Sequence, residues 1–226
     1  TNGAKGFNIG EWDGGSVRAT HQEFTGSRIT NKNSTAALND HATHVAGTLV
    51  ARGADAKAQG MAPAANILSY DSINDLSEMT LEAATSPVFG SKILVSNHSY
   101  GRLSGWSGNT FNGTLSDLED RAFGQYGSGA SQLDSLCFNA PYYLPFWSAG
   151  NDRNNGAPAN GTAFIYIGTR ANGTTGQLTA TYNSATHPPG DGVVRGGYGT
   201  IGTAKTAKNL MSIGAVTAAV DVKGVR

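Results

Sequence analysis

Apolar runs near residues 6–12, 66–70, 93–98, 143–148 and 210–216 alternate with polar stretches of helical or loop character around 40–52, 75–85 and 115–126. Strand-length apolar runs separated by helix-length amphipathic ones predict parallel βαβ units, hence an α/β chain with a doubly wound, mostly parallel sheet and helices on both faces. The stretch around 40–52 is the clearest helix. Asn39 or Asp40 supplies an N-terminal cap, the run through Val50 supplies apolar packing, and Gly53 offers a left-handed stop. Two stretches read as insertions. Residues 102–140 hold an amphipathic helix expectation at Leu115–Phe123. Residues 152–205 are rich in Gly, Asn and Thr and predict a β-hairpin from two alternating segments, 162–168 and 176–182.

Composition narrows the classes. A chain of 226 residues with 38% hydrophobic content buries one large core without division into separate domains. Sixteen basic residues balance sixteen acidic ones, so there is no electrostatic footprint for nucleic acid or an anionic membrane surface. No apolar run approaches the roughly 20 residues that span a bilayer. The single cysteine, Cys137, has no internal partner and reads as a buried apolar side chain. No tandem repeat stands out, although Asn-Gly-Thr occurs at 112–114, 160–162 and 172–174, as glycosylation acceptor or turn sequence.

Chemistry concentrates at turns that follow strands or open helices. His41 falls in the first turn of the predicted helix, where the positive pole disfavours imidazolium and suits a general base. Asp13 ends the first strand and precedes Gly14-Gly15, at the sheet edge where open α/β folds place their sites. It stands 28 positions before His41. Alone, the histidine reads as an ordinary side chain and the aspartate as a turn acid. A metal reading of His41, His44, Asp40 and Asp13 lacks a further convergent ligand, an HExxH or a cysteine pair, so no catalytic metal is expected.

The segment His41-Ala-Thr-His-Val-Ala-Gly-Thr48 resembles the histidine block of the subtilisin-like serine proteases, with Ala42 where that family has glycine. Gly6-Phe-Asn-Ile-Gly-Glu-Trp-Asp13-Gly-Gly is similar to its aspartate block, Ile93–Gly101 to its substrate-pairing strand, and Tyr143–Asp152 to its oxyanion block. Gln59–Leu68 and Ala207–Val216 agree with two further family segments. The resemblance implies a subtilisin-like fold and endopeptidase activity by acyl transfer. It assigns Asp13 and His41 to the catalytic triad, Asn151 to the oxyanion hole, Ser99, Tyr100, Gly101, Ala149 and Gly150 to substrate binding, and a structural role to His44. It also implies polypeptide substrates, secretion, and no cofactor for the chemistry, with structural calcium open at the Asn/Asp-bearing loops 71–75 or 151–155.

One family element has no counterpart. The nucleophile normally stands in a late Gly-Thr-Ser-Met-Ala helix start, and no serine here has that context, Ser34 and Ser212 included. Two expectations compete. Either the chain is the larger part of a nicked or truncated protease, an incomplete catalytic domain over 1–226 whose C-terminal fragment carries the serine, or it is a natural pseudoprotease that binds peptides. Arg226 after a polar loop-like segment suits a nick, and Thr1 in place of Met suits a processed, mature form. An unrelated small-molecule-binding α/β domain is the third alternative.

Overall fold

The computed structural model describes residues 3, 6–33, 35–88 and 92–215. Val216 and the segment 222–226, read from sequence as a strand end and a loop, lie outside the described residues, as does Ser34. Six strands form one parallel sheet: β1 (Asn8–Asp13), β2 (Ile29–Asn31), β3 (Asn66–Asp71), β4 (Val95–His98), β7 (Leu144–Ser148) and β10 (Met211–Ile213), in the order β10-β7-β4-β1-β3-β2. Chain order reverses on either side of β1, which gives the doubly wound topology. Helix α1 (Asp40–Val50) covers one face, and α2 (Asp75–Glu82) and α3 (Ser128–Asn139) cover the other. Among the described residues no helix is long and apolar enough to cross a membrane.

Helix α1 forms because its ends are satisfied and one stripe is small and apolar. The Asn39 side chain accepts from the Ala42 N–H at 2.9 Å, and Ala42, Ala46 and Val50, four apart, are buried against Ile9, Phe24, Ile29 and Ile67. Ala42, in the family's glycine position, turns its methyl into this core. The stop is not a left-handed glycine: Ala51 caps the helix in extended conformation, and Gly53, at φ 81°, lies two residues beyond it. The last carbonyls are taken instead by the chain that returns alongside. Gly60, Met61 and Ala62 donate to Ala51, Thr48 and Leu49 at 2.8–3.0 Å, and Arg28 reaches Val50. A Cβ at Gly60 would lie 2.5 Å from the Ala51 nitrogen, so only glycine permits this approach.

The helix expected at Leu115–Phe123 is absent. Its backbone N–H groups are claimed locally: Asp120 accepts from Ala122 and, across the chain, from Gly105, and Asp117 closes a turn onto Thr114. The helix of this region is α3, whose buried Ala130, Leu133, Leu136 and Cys137 recur at helical spacing. The edge strand β2 is three residues long, too short to signal. The hairpin is present as antiparallel β8 (Ala163–Thr169) and β9 (Thr175–Thr181), but it is not isolated. From the other insertion, β5 (Trp106–Ser107) and β6 (Thr110–Phe111) join it in a second sheet, order β5-β6-β8-β9, over a core of Trp106, Phe111, Phe164 and Tyr182. Cys137 is buried, and burial pushes its thiol up to about 11.

One register row crosses the sheet as a stack of rings. Tyr70, Trp12, His98 and Trp147 are mutual partners on β3, β1, β4 and β7. Successive centroids lie 4.3, 5.1 and 4.4 Å apart with planes within 14°. Each such contact contributes about 0.5–1.5 kcal/mol beyond burial. Polar tips are satisfied: Trp12 donates to Glu78, Trp147 to the Tyr100 carbonyl, and His98 meets the Ser96 hydroxyl at 2.7 Å and the Tyr100 hydroxyl at 3.1 Å. On the opposite face of β1, Glu11 is fully buried and, among the described residues, neither carboxyl oxygen has a hydrogen-bond partner. Burial and then the Asp13 charge raise its pKa well above 4.5.

Burial lowers the His98 pKa from 6.5 to about 3. The unfolded chain therefore binds a proton that the folded one refuses, and stability falls as pH drops from 6.5 toward 3, by about 1.4 kcal/mol per unit at most. Urea titrations of the wild type and His98→Gln across that window are expected to differ in pH slope, the variant being flatter; equal slopes would refute this. Glu11 acts in the other sense, since a raised carboxyl pKa costs stability as pH rises above 4.5. Glu11→Leu removes an unpartnered buried acid and is expected to stabilise the chain at pH 7 by about 1–3 kcal/mol, read as a higher urea midpoint.

Candidate active site

The residues just beyond the ring row line the carboxyl edge of the sheet. β1 ends in Asp13, β4 runs on into Ser99-Tyr100-Gly101, and β7 runs on into Ala149-Gly150-Asn151. These three strands are neighbours, so three of the sequence blocks converge on one edge.

Asp13 meets His41 because two glycines let the chain pass beneath the start of α1. A Cβ at Gly15 would lie 2.6 Å from the Ala37 carbonyl, and one at Gly14 would lie 3.1 Å from the Asn39 amide. Ser16 then bonds Ala37 and Asn39 in both directions, at 2.8 and 2.9 Å. The result places His41 Nδ1 2.8 Å from each Asp13 carboxylate oxygen. Asp13 also accepts from the Gly14 N–H at 2.7 Å and is only 3% exposed, whereas the imidazole is 58% exposed. An aspartate that only accepts requires the proton on Nδ1, which leaves Nε2 as the acceptor. Among the described residues Nε2 has no hydrogen-bond partner. An imidazole so held can accept a proton at its exposed Nε2.

His44 differs from expectation. Its side chain is exposed beside His21 and Thr48, lining a surface hollow, so only its backbone carbonyl serves the helix.

The substrate residues divide. Tyr100 is held by the core: its carbonyl accepts from Trp147 and its hydroxyl donates to Asp75 at 2.6 Å. Ser99 donates its hydroxyl to Asn97, and the Ala149 N–H is spent on Ile213 in the sheet. Gly150 and Asn151, in contrast, donate no backbone N–H to other described residues, and the Asn151 side chain is exposed and unengaged. Gly150 sits at φ 108°, a conformation open to glycine. The freedom of these donors at a strand end is what an oxyanion site requires.

In loop 71–75, Asp71 accepts from Ile73 and Asp75 accepts from Leu76 and Tyr100, and among the described residues no three His, Cys, Asp or Glu side chains converge.

Sequence reasoning missed two residues near this edge. Glu11 lies two positions before Asp13 and adds a buried acid beneath it; a charged residue inside an apolar strand was the available signal. Lys205 comes from the second insertion, and only the three-dimensional structure brings it beside Gly101 and Gly150.

On the α1 face a groove of about 750 Å³ opens beside the dyad strands, walled by Ile9, Leu49, Val95, Phe146 and Ile213, with Met61 79% exposed at its rim. No curated protein matches the chain. A family model described as the subtilase family, peptidase S8, matches residues 17–223. The match begins four residues after Asp13 and contains His41, the 99–101 stretch and Asn151. With far more than half of its 226 residues matched, and with a six-stranded parallel sheet of the doubly wound type, the chain belongs to the subtilase family.

Proposed function

We propose that the protein is a serine endopeptidase in which Asp13, His41 and Asn151 act with a serine supplied by a segment outside these 226 residues. The observation that carries this reading is the bidentate Asp13–His41 contact at the carboxyl edge of the sheet. In the reaction, His41 Nε2 takes the serine proton as the hydroxyl attacks the scissile carbonyl. Asp13 holds the imidazole and stabilises the cation formed. The Asn151 amide donates to the tetrahedral oxyanion. His41 then protonates the leaving amine, and water, activated the same way, releases the acyl group. An extended polypeptide lies along residues 99–101, with backbone hydrogen bonds giving affinity at little sequence cost. The chemistry needs no cofactor.

The missing segment is assigned to the groove on the α1 face. The groove of about 750 Å³ reaches Ser99, and its apolar walls suit a small-residue helix start better than water. Secretion belongs to the same reading and rests on the family alone. The alternative, a peptide-binding protein without chemistry, is favoured by one observation: no described serine meets His41 Nε2.

The 226-residue chain by itself is expected to leave peptide substrates intact and to resist a serine-directed fluorophosphonate, while the complete gene product reacts. Labelling of the 226-residue chain would identify a nucleophile among its own serines and overturn the assignment. An unlabelled complete gene product would favour the binding reading. In an active complete protein, Asp13→Asn is expected to lower kcat about 10⁴-fold through the wrong imidazole tautomer. Asn151→Gly is expected to cost about 10²–10³ through one lost oxyanion donor. Loss in KM with kcat intact would reassign either residue to binding.

A further inference from the structure

The 49-residue offset that pairs β4 with β7 brings Gly101 opposite Gly150 just past the strand ends. Both glycines leave a gap, and one side chain points into it. Lys205 Nζ lies 3.0 Å from where a Gly101 Cβ would stand and 2.9 Å from a Gly150 Cβ. Lys205 is 7% exposed, and among the described residues its ammonium has neither a hydrogen bond nor an ion pair. With no protein partner on its nitrogen, the side chain offers N–H donors to a ligand that enters the gap.

We propose that Lys205 sets the substrate preference, selecting an acidic side chain, Glu or Asp, on the residue that contributes the scissile carbonyl. The inference rests on the endopeptidase reading. Asn151 adjoins Gly150, so the residue whose carbonyl it holds lies over Gly150, and its side chain enters the gap between the two glycines. There it meets Lys205. A carboxylate supplies the acceptors and the opposite charge; a hydrocarbon side chain supplies neither, and a basic one adds repulsion.

Asp152 Oδ2 lies 2.7 Å from the same Gly150 Cβ position and, although no ion pair joins it to Lys205, its charge raises the amine pKa against the larger lowering by burial, so an incoming carboxylate meets Lys205 with Asp152 beside it. Asp191 lies near Asp152 and is pushed up to about 7, chiefly by burial, which weakens its competing charge. Arg102, exposed next to Gly101, adds positive potential at the mouth.

The test compares succinyl-Ala-Ala-Pro-Xaa-p-nitroanilides, with Xaa as Glu, Gln, Phe or Lys, hydrolysed by the complete gene product. A charge-assisted contact in a dry pocket is expected to give kcat/KM at least about tenfold higher for Glu than for Gln. That ratio should collapse toward one in Lys205→Met and in Lys205→Gln, each verified by a cooperative melt. A Glu-to-Gln ratio near one in the wild type, a ratio unchanged in the variants, or preference for Lys overturns the proposal. If no substrate is cleaved, the endopeptidase reading fails separately. Fluorescence anisotropy of labelled Ala-Ala-Pro-Glu amide against its Gln analogue then decides the Lys205 site: tighter Glu binding lost in both variants upholds it, and equal binding refutes it.

Discussion

The stacked row Tyr70, Trp12, His98 and Trp147 sets the height at which four strands end. Parallel strands joined by long crossovers have no hairpin to fix their register, so side-chain rows must do it. Flat rings at 4.3–5.1 Å tolerate little sliding along the strand axis. Asp13 follows Trp12, Ser99 follows His98, and Ser148 follows Trp147, so the ends of β1, β4 and β7 share one level because the rings beneath them do. The imidazole in the row must stay neutral to stack there, which ties the integrity of this platform to proton activity.

The dyad itself depends on a second constraint, the approach of two backbones. Gly14 and Gly15 pass close under Ala37 and Asn39, and Gly60 passes close under the end of α1. The first contact brings the acid to the base. The second closes off carbonyls at the far end of the same helix. A helix tied at both ends has a fixed rotation about its axis, and that rotation decides where His41 Nε2 points.

Much of this was legible in the sequence, and the reasons are specific. Asp13 and His41 were found because a strand end followed by glycines and a capped helix start are local signals, and both reappear with the expected geometry. The hairpin 163–181 was legible from strict alternation. What failed was whatever depended on distant partners. Leu115–Phe123 has helical spacing, but the Asp120 carboxylate accepts from the N–H groups of Gly105 and Ala122. Helix α3 was overlooked because its Ser-Gly-Ala-Ser opening suggests a turn, while its burial comes from a cluster shared with Tyr143, Met79 of α2 and Trp147 of β7. The Ala149 N–H is taken by Ile213 of β10, 64 residues later, a partner no local pattern announces. Lys205 carried no local signal at all.

The second sheet alters what the two insertions are. Strand β6 from the first pairs with β8 from the second, and Trp106, whose backbone nitrogen donates to Asp191, packs on Phe164 and Tyr182. Two loops that are separate in the sequence form a single structural unit with one core. Neither has an evolutionary history that could proceed alone: removing either would strip the apolar face from the other and leave an open strand edge. A lineage must therefore gain, lose or exchange them as a pair, and a chimera that grafts only one inherits an aggregation hazard rather than a new loop.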